Sequence, residues 1–287
     1  MIRKLRILLN SIIGYFIKWK YDLCGERVIA PLKKSKEDPS IIISLTSYGR
    51  RITKSIVYYT LVSLFRQKKQ PHRIILWLDE SWIKKTIPSK ITRLTLYGLE
   101  IRFFKDIKSY KKLIPTLIEN PDSIIITVDD DMIYHKNLIK SLVNGYKKDG
   151  NIQCTVASCP LDHNKKLLPY NSWRSIYFER ENDYIVPIGV GGVLYPPNSL
   201  SIEALNEKAF TTLAPRADDL WFWAMAKLNG SKHSFVKLNG SNYSFDAIYQ
   251  FFHKGSALTH SNSGECYNDV QLNNILKAYP TISNEID

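Results

Sequence analysis

Three short runs, IIISLT from Ile41, IILWLD from Ile74 and SIIITV from Ser123, are almost wholly apolar and do not alternate. A strand with one wet face alternates apolar and polar side chains. Runs of this kind belong where both faces of a sheet are covered, as in a parallel sheet between helical layers. Helical spacing follows the first run in SIVYYTLVSLFRQ and the last in HKNLIKSLVNGYKK. LEIRFFKD adds a further strand, and SYKKLIPTLIEN reads as a helix with Pro115 in its first turn or at a kink. Strand and helix alternate to about residue 150, which predicts a largely parallel sheet of the nucleotide-binding α/β type. Beyond that point the pattern loosens. IQCTVAS reads as a strand, YIVPIGVGGVLYPPNSL as strand and turn, and DDLWFWAMAKL as an amphipathic helix; the Asn-Gly pairs at 229–230 and 239–240 mark turns.

The 287 residues fit one elaborated domain, and 44% hydrophobic content supplies a sizeable core. A net charge of +13 attracts anionic partners: nucleic acid, an anionic membrane surface or a phosphorylated small molecule. The basic residues are scattered, or gathered in the first 20 positions and around Lys33 to Lys36, without a recognised nucleic-acid-binding motif, which argues against the first of these. Cys24, Cys154, Cys159 and Cys266 form neither a C-x-x-C pair nor a zinc pattern, and read as reduced thiols of a cytosolic protein.

In the first 22 residues, MIRKLRILLNSIIGYFIKWKYD, a helical projection gathers Ile2, Leu5, Leu8, Leu9, Ile12, Ile13, Phe16 and Trp19 on one broad face. Arg3, Lys4, Arg6, Asn10 and Lys18 lie opposite. The uncharged stretch Ile7 to Ile17 is shorter than the roughly 20 residues that span a bilayer. A helix lying in the interface of an anionic membrane fits this pattern. A helix packed on the domain or at a dimer contact competes with it, as does a secretory signal, although no small-x-small cleavage site follows. The expected organisation is an amphipathic helix over 1–29, a charged linker over 30–39 and one α/β domain over 40–287.

The third apolar run ends in Asp129, Asp130 and Asp131. Continued strand alternation would point Asp129 and Asp131 together and Asp130 away. Two carboxylates at the carboxyl end of a parallel strand face the crevice where such sheets bind ligands. Their repulsion would raise one pKa unless a cation sat between them, and a hard divalent ion suits oxygen ligands. Helix capping is the plainer alternative, but a cap needs one Asp. Asp218 and Asp219 open the later helix, where capping and a catalytic base are both open readings. Of the histidines, His260 in ALTHSNSGECYND is the one placed late enough in the chain to complete a metal site.

These residues together resemble the GT-A glycosyltransferases, in particular bacterial polysaccharide and glycan transferases of the family 2 type. The resemblance runs from about residue 39 to 280 and rests on an ordered series: ISLTSYGRRI, SYKKL, VDDD, GVGGVLYPP, ADDLWFWAMAKLNG and NDVQLNNIL. It implies a GT-A (Rossmann-like) single domain with a mixed, mostly parallel sheet. The implied activity is transfer of a sugar from a nucleoside-diphosphate sugar, a UDP-sugar first among them, to a glycan or lipid-linked acceptor of a surface polysaccharide. Asp131 would coordinate Mn2+ or Mg2+, Asp129 would contact the ribose or a metal-bound water, and His260 would be the further metal ligand. Thr46, Ser47 and Arg51 would line the base and ribose, with Asp79 and Asp130 also on the nucleotide side and Lys111 or Lys112 near the phosphates. Gly191 and Gly192 would let the backbone approach sugar or acceptor, and Asp219, beside Asp218, would be the general base. The implied location is peripheral, at the cytoplasmic face of a membrane. A metal-dependent phosphoryl-transfer enzyme or nuclease is the rival reading, for which Asp79 and Asp106 are the remaining strand-end acids.

Overall fold

A computed structural model describes residues 2–33, 39–164, 166–176, 185–244 and 267–283. The first run forms β1 (Ile41–Thr46), which pairs in parallel with β2 (Arg73–Asp79) and with β4 (Ile124–Thr127). β3 (Leu99–Phe104) extends the sheet beyond β2. Both faces are covered, as the absence of alternation requires. Ile41, Ile43, Leu45, Ile124 and Ile126 enter one core, against α3 (Ile56–Phe65) and α6 (Leu138–Asp149), while Ile42, Ile75, Trp77 and Ile125 are buried on the other side. Across the second face Ser44 Oγ and Thr116 Oγ1 share a 2.7 Å hydrogen bond, and Trp77 Nε1 donates to the same Thr116 oxygen at 2.7 Å. These three buried polar side chains are therefore paired with one another.

The later strands make the sheet mixed. β5 (Met132–Ile133) follows the acid run and leaves the main sheet; β6 (Ile152–Cys154) joins it further out. β7 (Ala157–Cys159), β8 (Arg174–Ser175) and β9 (Val186–Pro187) form a small antiparallel sheet. β10 (Val193–Tyr195) runs antiparallel between β4 and β6, β11 (His233–Phe235) closes that edge, and β12 (Tyr243–Ser244) pairs with β5. Because β10 runs against β4, the turn before it lies at the carboxyl end of β4.

The amino-terminal helix α1 (Ile2–Cys24) is docked on the domain through Tyr21 and Ile17. Asp22 accepts from Tyr59 Oη at 2.7 Å and pairs with Lys90 at 2.8 Å. Within the expected linker, Leu32 packs on the same core and its N–H donates to Tyr97 O at 2.9 Å; residues 34–38 lie outside the described residues. Among the described residues no helix is long and apolar enough to cross a membrane.

Three elements differ from expectation. SYKKLIPTLIEN splits into a 3-10 turn, Lys108–Lys112, and a short helix α5 (Ile114–Glu119) with Pro115 in its first turn, where its missing N–H costs nothing. Beyond the short helices α4 (Ser89–Thr92) and α7 (Glu207–Leu213), α8 (Asp218–Leu228) is buried along both sides from Leu220 to Lys227, so it is a core helix and not an amphipathic one. β4 ends at Thr127, and the three aspartates occupy the turn beyond it.

Candidate active site

The register of β1 and β4 pairs Ser44 with Thr127, and three residues beyond that pair on each chain segment Ser47 meets Asp130. Ser47 Oγ donates to Asp130 Oδ2 at 2.5 Å. Arg51, on the short helix α2 (Gly49–Thr53), donates through Nη1 to Asp130 Oδ1 and through Nη2 to Asp131 Oδ2 at 2.7 Å. Asp130 and Asp131 thus share one guanidinium, so Asp130 does not point away from Asp131 as strand alternation would have it. The reason is that the run has left the strand, so period-two alternation no longer governs where each carboxylate points. Burial pushes the Asp130 carboxyl up, with Arg51 and Ser47 opposing.

Asp129 turns to a different cation. Lys112 Nζ, buried at the end of the 3-10 turn, lies 2.7 Å from Asp218 Oδ2, 3.4 Å from Asp219 Oδ1 and 3.5 Å from Asp129 Oδ1. Tyr110 holds that turn in place: its ring stacks on Phe210, with centroids 4.1 Å apart, and its hydroxyl donates to Ala214 O at 2.6 Å. Burial disfavours the Lys112 charge, but Asp218, Asp219 and Asp129 outweigh it and hold the ammonium protonated. Lys111 is directed elsewhere, to Asp106.

Asp219 accepts a hydrogen bond from the Gly189 N–H at 3.0 Å through Oδ2, while 32% of its side chain remains open to the cleft. Its pKa is pushed up to about 6, chiefly by burial; Lys112 opposes the rise and Asp218 and Asp129 add to it. Gly189 is a position that sequence reasoning passed over. A Cβ there would stand 2.6 Å from Lys112 Nζ and 2.8 Å from Asp219 Oδ1, so both side-chain ends would have to shift to admit one. Tyr134 was also missed. Its hydroxyl accepts from the Asp129 N–H at 2.8 Å and donates to Val190 O at 3.3 Å, tying the acid turn to the Gly189 turn. The GVGG run advertised a close approach; nothing local advertised Tyr134.

A cleft of about 680 Å³ gathers these groups. Of the residues singled out from the sequence, Thr46, Arg51, Asp79, Lys111, Lys112, Asp129, Asp130, Asp131, Asp218 and Asp219 line it. Ser47 stands behind Asp130, and Asp79 also accepts from the Ser81 N–H at 3.0 Å as a turn cap. Gly191 and Gly192 are not on the lining. A Cβ at Gly191 would strike Val156 at 2.6 Å, and Gly192 has φ +87 in the turn into β10, so both serve packing. His260 lies outside the described residues, as does Cys266; Cys24, Cys154 and Cys159 are free thiols. Tyr170 and Arg216, for which the sequence carried no signal, also line it, as does Asn268, the first residue of the NDVQLNNIL run.

The donor chemistry suits a hard divalent ion. Asp129 and Asp131 supply carboxylate oxygens to the cleft, and Mg2+ is commonly held by one or two carboxylates with substrate phosphates supplying further ligands. Among the described residues no group of three or more His, Cys, Asp or Glu is placed to hold an ion.

No protein family model matches the chain, and no curated protein does. Among solved structures, the TarS protein of S. aureus in complex with UDP is 13% identical at a TM-score of 0.49, covering 71% of this chain and 60% of that one. UDP-glucose pyrophosphorylase from Acinetobacter baumanii is 10% identical at 0.45, covering 79% of this chain and 94% of the other. An inositol-1-phosphate CTP transferase from T. maritima is 11% identical at 0.44, covering 81% and 98%.

Proposed function

We propose that this chain is a metal-assisted glycosyltransferase that moves a sugar from a nucleoside-diphosphate sugar, a UDP-sugar in the first instance, to a hydroxyl of a glycan or lipid-linked acceptor. The observation that carries this reading is the convergence of two acid groups on one cleft: Asp129 to Asp131 at the carboxyl end of β4, and Asp219 at the amino end of α8. A reaction that must hold an anionic leaving group and also deprotonate a hydroxyl needs both.

On the nucleotide side, Asp129 and Asp131 would hold a divalent ion. Such an ion, when bound, supplies charge stabilisation for the departing diphosphate. Arg51 fixes the orientation of Asp130 and Asp131 through two hydrogen bonds from one planar group. On the acceptor side, Asp219 Oδ1 takes the proton of the attacking hydroxyl. A carboxyl with a pKa of about 6 is ionised at neutral pH and more basic than an ordinary carboxylate. The Gly189 N–H holds the other oxygen, so the acceptor shares Oδ1 with Lys112 alone. Lys112 stabilises the anionic form before transfer, at 3.4 Å from that oxygen. Charge at the sugar carbon resembles an oxocarbenium ion, as in glycoside hydrolysis, so a fixed carboxylate close by favours attack.

The test is a panel of nucleotide sugars with Mn2+, scored by nucleotide release and by thermal shift, with Asp131→Ala as the blank. Release from one sugar nucleotide, abolished by Asp131→Ala, supports the reading. Cleavage of DNA or of a simple phosphate ester, with no response to any sugar nucleotide, would replace it with phosphoryl transfer.

A further inference from the structure

The docking of α1 uses a narrow face of the helix. Tyr21 and Gly14 are buried and Ile17 is half-buried, roughly 140–200° around the helix from Ile12 at 100° per residue. The bulky apolar side chains are on the other side. Phe16 is 67% exposed, Trp19 62% and Leu23 65%, with Ile12 and Tyr15 also exposed. Ile12, Phe16, Trp19 and Leu23 are spaced by four, three and four residues, so they form one continuous stripe along the helix. Burying a Trp or Phe normally contributes a few kcal/mol, and a domain that could have turned these rings inward has left them out.

The charge around the stripe identifies what it meets. The first 27 residues carry six basic and two acidic side chains. Both acids are spent against cations of the body, Asp22 on Lys90 at 2.8 Å and Glu26 on Arg93 at 3.2 Å, and Asp22 also pairs with Lys18 of the same helix at 3.1 Å. Lys20 and Arg27 stay exposed, and Lys20 lies one turn beyond Phe16, at the edge of the stripe. An apolar ridge of Trp, Phe and Leu bordered by cations fits the boundary between the acyl and headgroup regions of an anionic bilayer. A protein partner would not need the cationic border.

We propose that the outward face of α1 seats the protein on an anionic membrane surface, with the helix lying in the plane of the interface while its inward face stays docked on the domain. The attachment is rigid. α1 packs across β12, whose partner β5 begins at the residue after Asp131, so a seated helix fixes the cleft at one height above the lipid. The inference is independent of the reaction proposed above.

The test uses the full chain in vesicle pelleting, with phosphatidylglycerol and with phosphatidylcholine vesicles. We expect binding to the anionic vesicles that weakens with salt, and at least a tenfold loss in the double variant Phe16→Glu/Trp19→Glu. Its thermal midpoint should stay within a few degrees of the parent, since both side chains are exposed. Lys20→Glu should weaken binding to anionic vesicles and leave the phosphatidylcholine result unchanged. The proposal is overturned if the parent stays in the supernatant with anionic vesicles, or if the double variant pellets as well as the parent. It is also overturned if sedimentation finds a dimer that the double variant dissociates while no vesicle binding is seen, because the stripe would then be a contact between copies.

Discussion

Arg51 and Lys112 each draw carboxylates from distant stretches of the chain into the same cleft, but they do so differently. Arg51 offers a planar fork, and Asp130 and Asp131 take one tine each. The geometry is fixed, and the side on which we place the nucleotide is correspondingly rigid. Lys112 is a point charge shared among Asp129, Asp218 and Asp219 at 2.7 to 3.5 Å. Three acids competing for one ammonium leave each partly uncompensated, and burial then raises Asp219 to about 6. Under the function proposed above, that difference suits one cluster to positioning a ligand and the other to moving a proton.

The largest effect should come from breaking the proton-moving side alone. Asp219→Asn keeps the size of the side chain and removes the base, so kcat should fall by about 10²–10⁴ while the thermal shift with nucleotide is retained. The parent rate should decline about tenfold per pH unit below pH 6, because the base is protonated there, and the variant should lose that dependence. Equal loss of nucleotide binding in Asp219→Asn would mean that the two sides are one site. Lys112→Met strips the shared charge from three acids and should destabilise the fold by about 3–5 kcal/mol, measured by urea unfolding. A variant as stable as the parent would show that the acids find another cation.

The rigid side should respond less. Arg51→Lys keeps the charge and gives up the fork, so only one of the two carboxylates stays well held. We expect a loss of about 1.5–3 kcal/mol in stability, the scale of one hydrogen bond to a charged group, and weaker nucleotide binding with the acid limb of the pH profile unmoved. A shift of that limb in Arg51→Lys would show that the clusters are coupled.

The legible part of the molecule was the part that repeats locally. Non-alternating runs such as Ile41 to Leu45 require cover on both faces, and the sheet provides it; helical spacing from Ile56 to Phe65 follows the same logic. The acids of the cleft were visible as residues because three adjacent carboxylates after an apolar strand demand an explanation. Their pairing was not visible. Asp130 meets Ser47 and Arg51 across about 80 positions, and Lys112 meets Asp218 across more than 100, so no spacing rule reaches them. Strand alternation misled at Asp129 to Asp131 because β4 stops at Thr127, and strand length depends on what the neighbouring strands continue to offer. Along α1 the apolar face was readable, but not that the helix would dock by another side.

Gly189 separates the two clusters most finely, because it touches only one of them through its backbone. Its N–H holds Asp219 Oδ2 at 3.0 Å, and its Cα faces Lys112 so closely that a methyl group would stand 2.6 Å from the ammonium. The atoms in the way are the ends of side chains, which can withdraw by a fraction of an ångström without disturbing the core. Gly189→Ala should therefore leave stability within about 1 kcal/mol of the parent. What it should change is the distance between Lys112 and Asp219, and with it the stability of the ionised base. Moving the ammonium away favours the protonated carboxyl, so the acid limb should shift to higher pH and the neutral-pH rate should fall about tenfold, near 1.4 kcal/mol in barrier. An unchanged limb with the same loss of rate would point to steric exclusion of the acceptor. In that outcome Gly189 shapes the pocket, and Lys112 has no say in the proton.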